Sequence, residues 1–215
     1  MTVAEPQRGA AQSATEVPPQ AVRPPAVPPR HNRRLQRIAG GVVLGLTVLA
    51  AGTPAAFADG GEGGIGQYTL VPPAAFHGLV WMDDSDAAKG AREALQQNTY
   101  PPGVTPLGTA YGRDGQVTLV ISGVSGPVAD PAAGLSHGFM NLESAGTMSA
   151  RQDFYPGRLG GELQCAEVTM TDGTLSACAW ADHSSVVMVV TRVDKPLPAF
   201  AAQTRQLRAA MEVEK

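Results

Sequence analysis

Residues 162–192, ELQCAEVTMTDGTLSACAWADHSSVVMVVTR, carry the pattern that decides the fold. Three runs, Glu162 to Thr171, Thr174 to Ala181 and Ser185 to Arg192, are separated by Asp172-Gly173 and by Asp182-His183-Ser184. Asp-Gly favours a tight hairpin turn because both residues tolerate left-handed backbone. The three runs therefore predict a β-meander. Cys165 and Cys178, the only two cysteines, fall on its first two strands and predict a disulfide if the chain is exported. Two free thiols or a metal pair fit less well, since a structural zinc takes four ligands and no second Cys or His pair stands at ligand spacing. With Asp172-Gly173 as a two-residue loop, Cys165 would oppose Trp180 and the sulfurs would be offset by two positions. A longer loop, or a bulge between positions 166 and 177, is therefore expected.

Downstream of the meander, Pro196 to Val213 reads as an amphipathic helix. Leu197, Phe200, Ala201, Thr204, Leu207 and Met211 share one face, with Gln203, Arg205 and Arg208 elsewhere. Upstream, Asp130-Pro131 supplies an N-cap and a first-turn proline for a helix over 131–146, weakened by Gly134 and Gly138. Leu107 to Gly112 and Gln116 to Gly123 predict two strands joined through Arg113-Asp114-Gly115. In the second, Val117, Leu119 and Ile121 alternate with Thr118 and Ser122, and Val120 breaks the alternation, so one face is buried and the other is expected to be partly covered. A helix from Ser85 to Gln97 follows the N-cap candidates Asp83-Asp84-Ser85-Asp86, with Ala87, Ala88, Ala91 and Leu95 inward. Tyr68 to Val71 reads as a first strand stopped by Pro72-Pro73. This order of elements predicts an α+β domain over 67–215. It consists of an antiparallel sheet of about five to six strands, including the C-terminal meander, with about three helices on one face.

Ahead of that domain, Asp59 to Gly66 holds five glycines and reads as a linker. Ile38 to Ala58 has no charged residue, and its 21 residues as a helix would rise about 30 Å, enough for one membrane span. Arg30, Arg33, Arg34 and Arg37 precede it and Asp59 and Glu62 follow, so the positive-inside rule puts the C-terminal domain outside. A signal peptide cleaved after Ala56-Phe57-Ala58 is the competing reading, and a buried core helix is a third. Residues 1–37 hold seven prolines and six arginines against two acids, and predict a disordered cytoplasmic tail or a signal n-region.

Residues 59–215 carry ten basic and seventeen acidic residues, a net charge of −7. That balance argues against nucleic acid as a partner. The histidines, His31, His77, His137 and His183, stand singly, with no metal-ligand spacing. Asp182-His183-Ser184 holds the residue types of a serine triad, but neighbours in a turn diverge, and a polar turn in which Asp182 caps its own backbone is the expected arrangement. Trp81 and Trp180 read as packing residues. No residue is nominated as catalytic, cofactor-binding or metal-ligating, and no cofactor is expected. Cys165 and Cys178 are the only site residues named.

The Pro- and Arg-rich tail, the single apolar segment, Gly66-x-Tyr68-x-Leu70-x-x-Pro73 and Cys165-Ala-Glu-Val…Cys178-Ala-Trp-Ala-Asp-His-Ser resemble membrane-anchored exported proteins of streptomycetes, a family with no assigned activity. The likeness covers most of residues 33–213. It implies an actinobacterial cell-envelope protein with a disulfide-closed hairpin, and carries over no substrate or catalytic residue. From residues and resemblance together, the expected function is a non-catalytic extracytoplasmic binding or accessory domain. Its expected partners are the membrane and an envelope protein or small ligand. The alternative is an envelope hydrolase using His183 or His137 with nearby carboxylates.

Overall fold

A computed structural model of the chain describes residues 67–215. The expectations for the tail 1–37, the apolar segment 38–58 and the linker 59–66 lie outside the described residues. Among those described, no helix is long and apolar enough to cross a membrane.

The elements are β1 (Tyr68–Leu70), β2 (Ala75–Phe76), β3 (Leu79–Trp81), α1 (Asp86–Gln96), β4 (Thr105–Arg113), β5 (Gln116–Ser125), α2 (Pro131–Ala145), β6 (Thr147–Met148), β7 (Gln152–Phe154), β8 (Glu162–Met170), β9 (Gly173–Ala181), β10 (Ser185–Thr191), α3 (Leu197–Met211) and β11 (Glu212–Glu214). The fold is α+β, as expected, and its main sheet is wholly antiparallel. That sheet has nine strands in the order β2-β3-β4-β5-β10-β9-β8-β6, with β7 also on β8, and β1 pairs β11 separately. It is wider than the expected five to six strands because β2, β3, β6 and β7 are only two or three residues long, too short to display a period of two.

Local signals account for the element ends. Ser85 caps α1 by accepting the Ala88 amide at 3.2 Å, and Asp130 caps α2 by accepting the Ala133 amide at 2.9 Å, followed by Pro131 in the first turn. Asp114 and Gly115 turn β4 into β5 with φ of 52° and 75°, the left-handed pair that a tight hairpin requires. The hairpin β4–β5 and the meander β8-β9-β10 then meet where β5 pairs β10, from Ser125↔Ser185 to Leu119↔Thr191.

Helices cover both faces of the sheet, which corrects the one-face expectation. Val186, Met188 and Val190 of β10 join a cluster with Ala88, Ala91 and Leu95 of α1 and with Leu135, Phe139 and Leu142 of α2. The alternate residues Val187 and Val189 join Leu197, Phe200 and Leu207 of α3, together with Trp180 and the disulfide. All seven residues of β10 are buried, so the strand reads as a continuous apolar run rather than an alternation. The same reason explains Val120, which faces the α1–α2 side while Leu119 and Ile121 face α3. Gly134 and Gly138 let α2 lie close: a Cβ at Gly134 would stand 2.8 Å from Val186 Cγ2.

Cys165 and Cys178 form a disulfide across β8 and β9, directly opposite in register, with Cα atoms 4.1 Å apart. The expected long loop or bulge is absent. Met170 opposes Gly173, so the two-residue loop is Thr171-Asp172, one position earlier than Asp172-Gly173. The left-handed requirement falls on Gly173 (φ 132°) after the loop, and Arg192 holds the turn through Asp172 Oδ1 at 2.8 Å and its carbonyl at 3.0 Å.

Candidate functional site

Among the described residues, Asp182, Arg208 and Glu212 form a buried charged cluster under the α3 face, where the β9–β10 turn, the end of α3 and β11 converge. Arg208 is 1% exposed, although its position in the helix had placed it away from the inner face. Its Nε donates to Glu212 Oε2 at 3.0 Å, one Nη donates to the Gly160 carbonyl at 2.6 Å, and the other donates to Asp182 Oδ2. Asp182 Oδ1 in turn accepts the Ser184 and Ser185 amides at 2.6 and 2.8 Å, the self-capping turn expected from the sequence. Glu212 Oε1 accepts from Ser185 Oγ at 2.5 Å and from Trp180 Nε1 at 2.8 Å. The planar guanidinium, with donors fixed in a fork, can serve two carboxylates and a carbonyl at once.

Burial pushes the Glu212 carboxyl above its ordinary range, opposed by Arg208 and reinforced by the nearby Asp182. Every carboxylate oxygen of Asp182 and Glu212 nevertheless has a donor within the fold. Both acids are thereby tied into the buried network.

Two adjoining cavities open over this network, one of about 490 Å³ bordered by Glu162, Asp182 and Ser184, the other of about 610 Å³ bordered by Arg158, Arg205 and Arg208. Tyr68 and Leu159 line both. Their shared wall is the loop from Tyr155 to Gly161, whose end needs a glycine. Gly161 has φ 75°, and a Cβ there would fall 2.3 Å from the Ala181 carbonyl. On the larger cavity, the Arg205 guanidinium lies 5.8 Å from the centre of the Tyr155 ring.

His183 is exposed and sets Nδ1 2.8 Å from the Val128 carbonyl, while Asp182 beside it binds backbone and Arg208, so the run 182–184 is not assembled as a triad. His137 is half-buried on α2, and His77 stacks on Phe76 with ring centroids 4.2 Å apart. Trp180 is buried as a packing residue, whereas Trp81 is 44% exposed and donates Nε1 to Thr109 Oγ1 at 2.6 Å. Among the described residues, no three His, Cys, Asp or Glu side chains are gathered in a way that could hold a metal. Sequence reading missed Arg208 and Glu212. The available signal was their four-residue spacing, which continues from Thr204 on the buried face.

Comparison with protein-family models, with curated proteins and with solved structures returns no match for this chain.

Proposed function

We propose that residues 67–215 are a non-catalytic extracytoplasmic binding module of the cell envelope, held there by the apolar segment 38–58 as an anchor or delivered by it as a signal. The observation that carries the reading is the contrast between the charged network and the groove above it. Asp182, Arg208 and Glu212 are consumed by the fold, while cavities of about 490 and 610 Å³ stay open over them. Such a surface supports recognition of a ligand, and His183, which borders the smaller cavity, sets its Nδ1 against the Val128 carbonyl. The compartment is supported by the Cys165–Cys178 disulfide, a bond that persists where the surroundings are oxidising. The arginine-rich flank of the apolar segment supports the same orientation, with the domain outside.

The test is retention. The full chain, tagged at its C-terminus, should capture an envelope component from envelope extracts, and Arg205→Ala with Tyr155→Ala in the groove should lose it. Turnover of an ester, peptide or glycoside by the purified chain, abolished by changing one exposed carboxylate or serine, would sink the non-catalytic reading.

A further inference from the structure

We propose that the groove between α3 and the loop Tyr155–Gly161 takes an anionic saccharide, with its acidic group on Arg205 and Arg158 and a sugar ring against Tyr155. The proposal rests on the binding-module reading and names its ligand class.

The charge of the groove favours an anion. Residues 67–215 hold ten basic and fifteen acidic residues, a net charge of −5, yet the groove gathers Arg158, Arg205 and Arg208 against a single carboxylate, Glu212. Glu212 turns both oxygens into the buried network, and Arg208 spends its donors there as well. The field over the groove is therefore set by Arg158, which is exposed, and Arg205, which is half-buried. A cationic recess on an acidic surface concentrates anions locally while the rest of the surface repels polyanions such as nucleic acid.

The groove is also shaped and preorganised for a ring. Tyr155 is 67% exposed, more than any other large hydrophobic side chain exposed among the described residues. One guanidinium nitrogen of Arg205 reaches the Tyr155 carbonyl at 3.4 Å, while the group as a whole lies over the ring. The loop carrying Tyr155 is anchored from beneath, because Arg208 donates to the Gly160 carbonyl at 2.6 Å and to the Pro156 carbonyl at 3.5 Å. An aromatic side chain with two torsions, on an anchored loop, loses little entropy on binding. A guanidinium beside it offers the paired donors that carboxylate and phosphate oxygens accept. Gln206, exposed on the same wall, adds an amide able to meet hydroxyls. A ring with hydroxyls and an acidic group matches all three features together.

Isothermal titration of the full, detergent-solubilised chain with trigalacturonate, glucose 1-phosphate and neutral maltotriose tests this. Trigalacturonate or glucose 1-phosphate should bind and maltotriose should not, and the preferred acid tells carboxylate from phosphate. Raising the salt should weaken binding. Arg205→Ala and Arg158→Ala should each weaken it by about tenfold or more, the worth of a charge-assisted hydrogen bond. Arg151→Ala removes a cation whose guanidinium lies 5.6 Å from the Phe139 ring, away from the groove, and should leave binding unchanged. All three arginines are exposed or half-buried, so unaltered melting curves would show that the variants fold. Equal affinity for maltotriose, or affinity unchanged in Arg205→Ala, overturns the proposal. So does the absence of binding to all three probes. In that case groove-dependent capture from envelope extracts would leave the binding module standing, and its loss would bring down that reading too.

Discussion

Arg208 shows why a buried charge must be judged with its partners. Taking a guanidinium and two carboxylates out of water costs several kcal/mol per ion, and the close contacts with Asp182, Glu212 and Gly160 offset that cost. Arg208→Ala would leave both acids buried without their counter-charge. It should destabilise the protein by about 3–5 kcal/mol, with a Tm lower by roughly 10 °C or more. Circular-dichroism melting checks this, and a Tm within a degree or two of wild type would contradict the assignment. Glu212 adds a pH dependence. Its folded carboxyl lies above the ordinary 4.5, so the folded state holds the proton more tightly than the unfolded chain does. Its contribution is fully present below pH 4.5 and is lost as pH rises through the folded value. Glu212→Gln cannot titrate there, so the Tm of wild type minus that of the variant should fall as the pH is raised from below 4.5 toward neutrality. A difference that grows over that interval would refute the upward shift.

Elements here are joined by close backbone approach as much as by large side chains. A Cβ at Gly108 of β4 would meet the Arg92 amide nitrogen at 2.5 Å and the Ala91 carbonyl carbon at 2.6 Å, so the backbone of α1 lies almost directly on the strand. Gly108→Ala should cost about 1–3 kcal/mol by overpacking. Gly90→Ala, inside α1 and with nothing within 4 Å of the added methyl, should instead stabilise by about 0.5–1 kcal/mol through the lost freedom of the unfolded chain. Chemical denaturation of the two variants should thus give opposite signs, and equal signs would show that the approach of α1 to β4 is misplaced. The disulfide joins positions 13 apart, for which the chain-entropy estimate is about 3 kcal/mol. Replacing Cys165 and Cys178 together by Ala should lower the Tm by about 6–12 °C with the far-ultraviolet spectrum unchanged. Two reactive thiols in protein isolated without reductant would count against the bridge altogether.

Across the whole molecule, stability should grade from the middle of the sheet outward. β10, buried along its length between β5 and β9, has no free edge, whereas β1 and β11 form a separate pair held by three register positions and the flanking bonds Val71 N to Met211 O at 2.8 Å and Lys215 N to Gln67 O at 2.9 Å. Amide exchange should therefore be slowest in Val186–Val190 and markedly faster in Tyr68–Leu70 and Glu212–Glu214. Uniform protection would mean that the terminal pair unfolds only with the main sheet. If the proposed export holds and the apolar segment 38–58 is kept as an anchor, protease added to intact cells should reach residues 59–215 and spare residues 1–37. A product beginning at Asp59 would instead establish cleavage, and a domain protected inside the cell would defeat both routes.

What the sequence by itself determined is what neighbouring residues impose on one another. Ser85 and Asp130-Pro131 start helices, Asp114-Gly115 turns a hairpin, Asp182 caps its own turn, and period-two or period-3.6 spacing names the long strands and helices, because each of these signals lies within a few residues of backbone torsion and side-chain reach. The disulfide pairing was legible as well, since only two cysteines exist and both fall in one hairpin, although the turn between them sits one residue from where Asp-Gly suggested. The tertiary structure alone decided that α3 covers the opposite face from α1 and α2, that β5 pairs with β10 across some sixty residues of chain, and that Arg208 is buried while Arg205 lines a groove. These outcomes depend on which distant surfaces exclude water together. An arginine on a helix flank carries the same local signal whether it meets solvent or, as at Arg208, two carboxylates brought from the β9–β10 turn and the last strand.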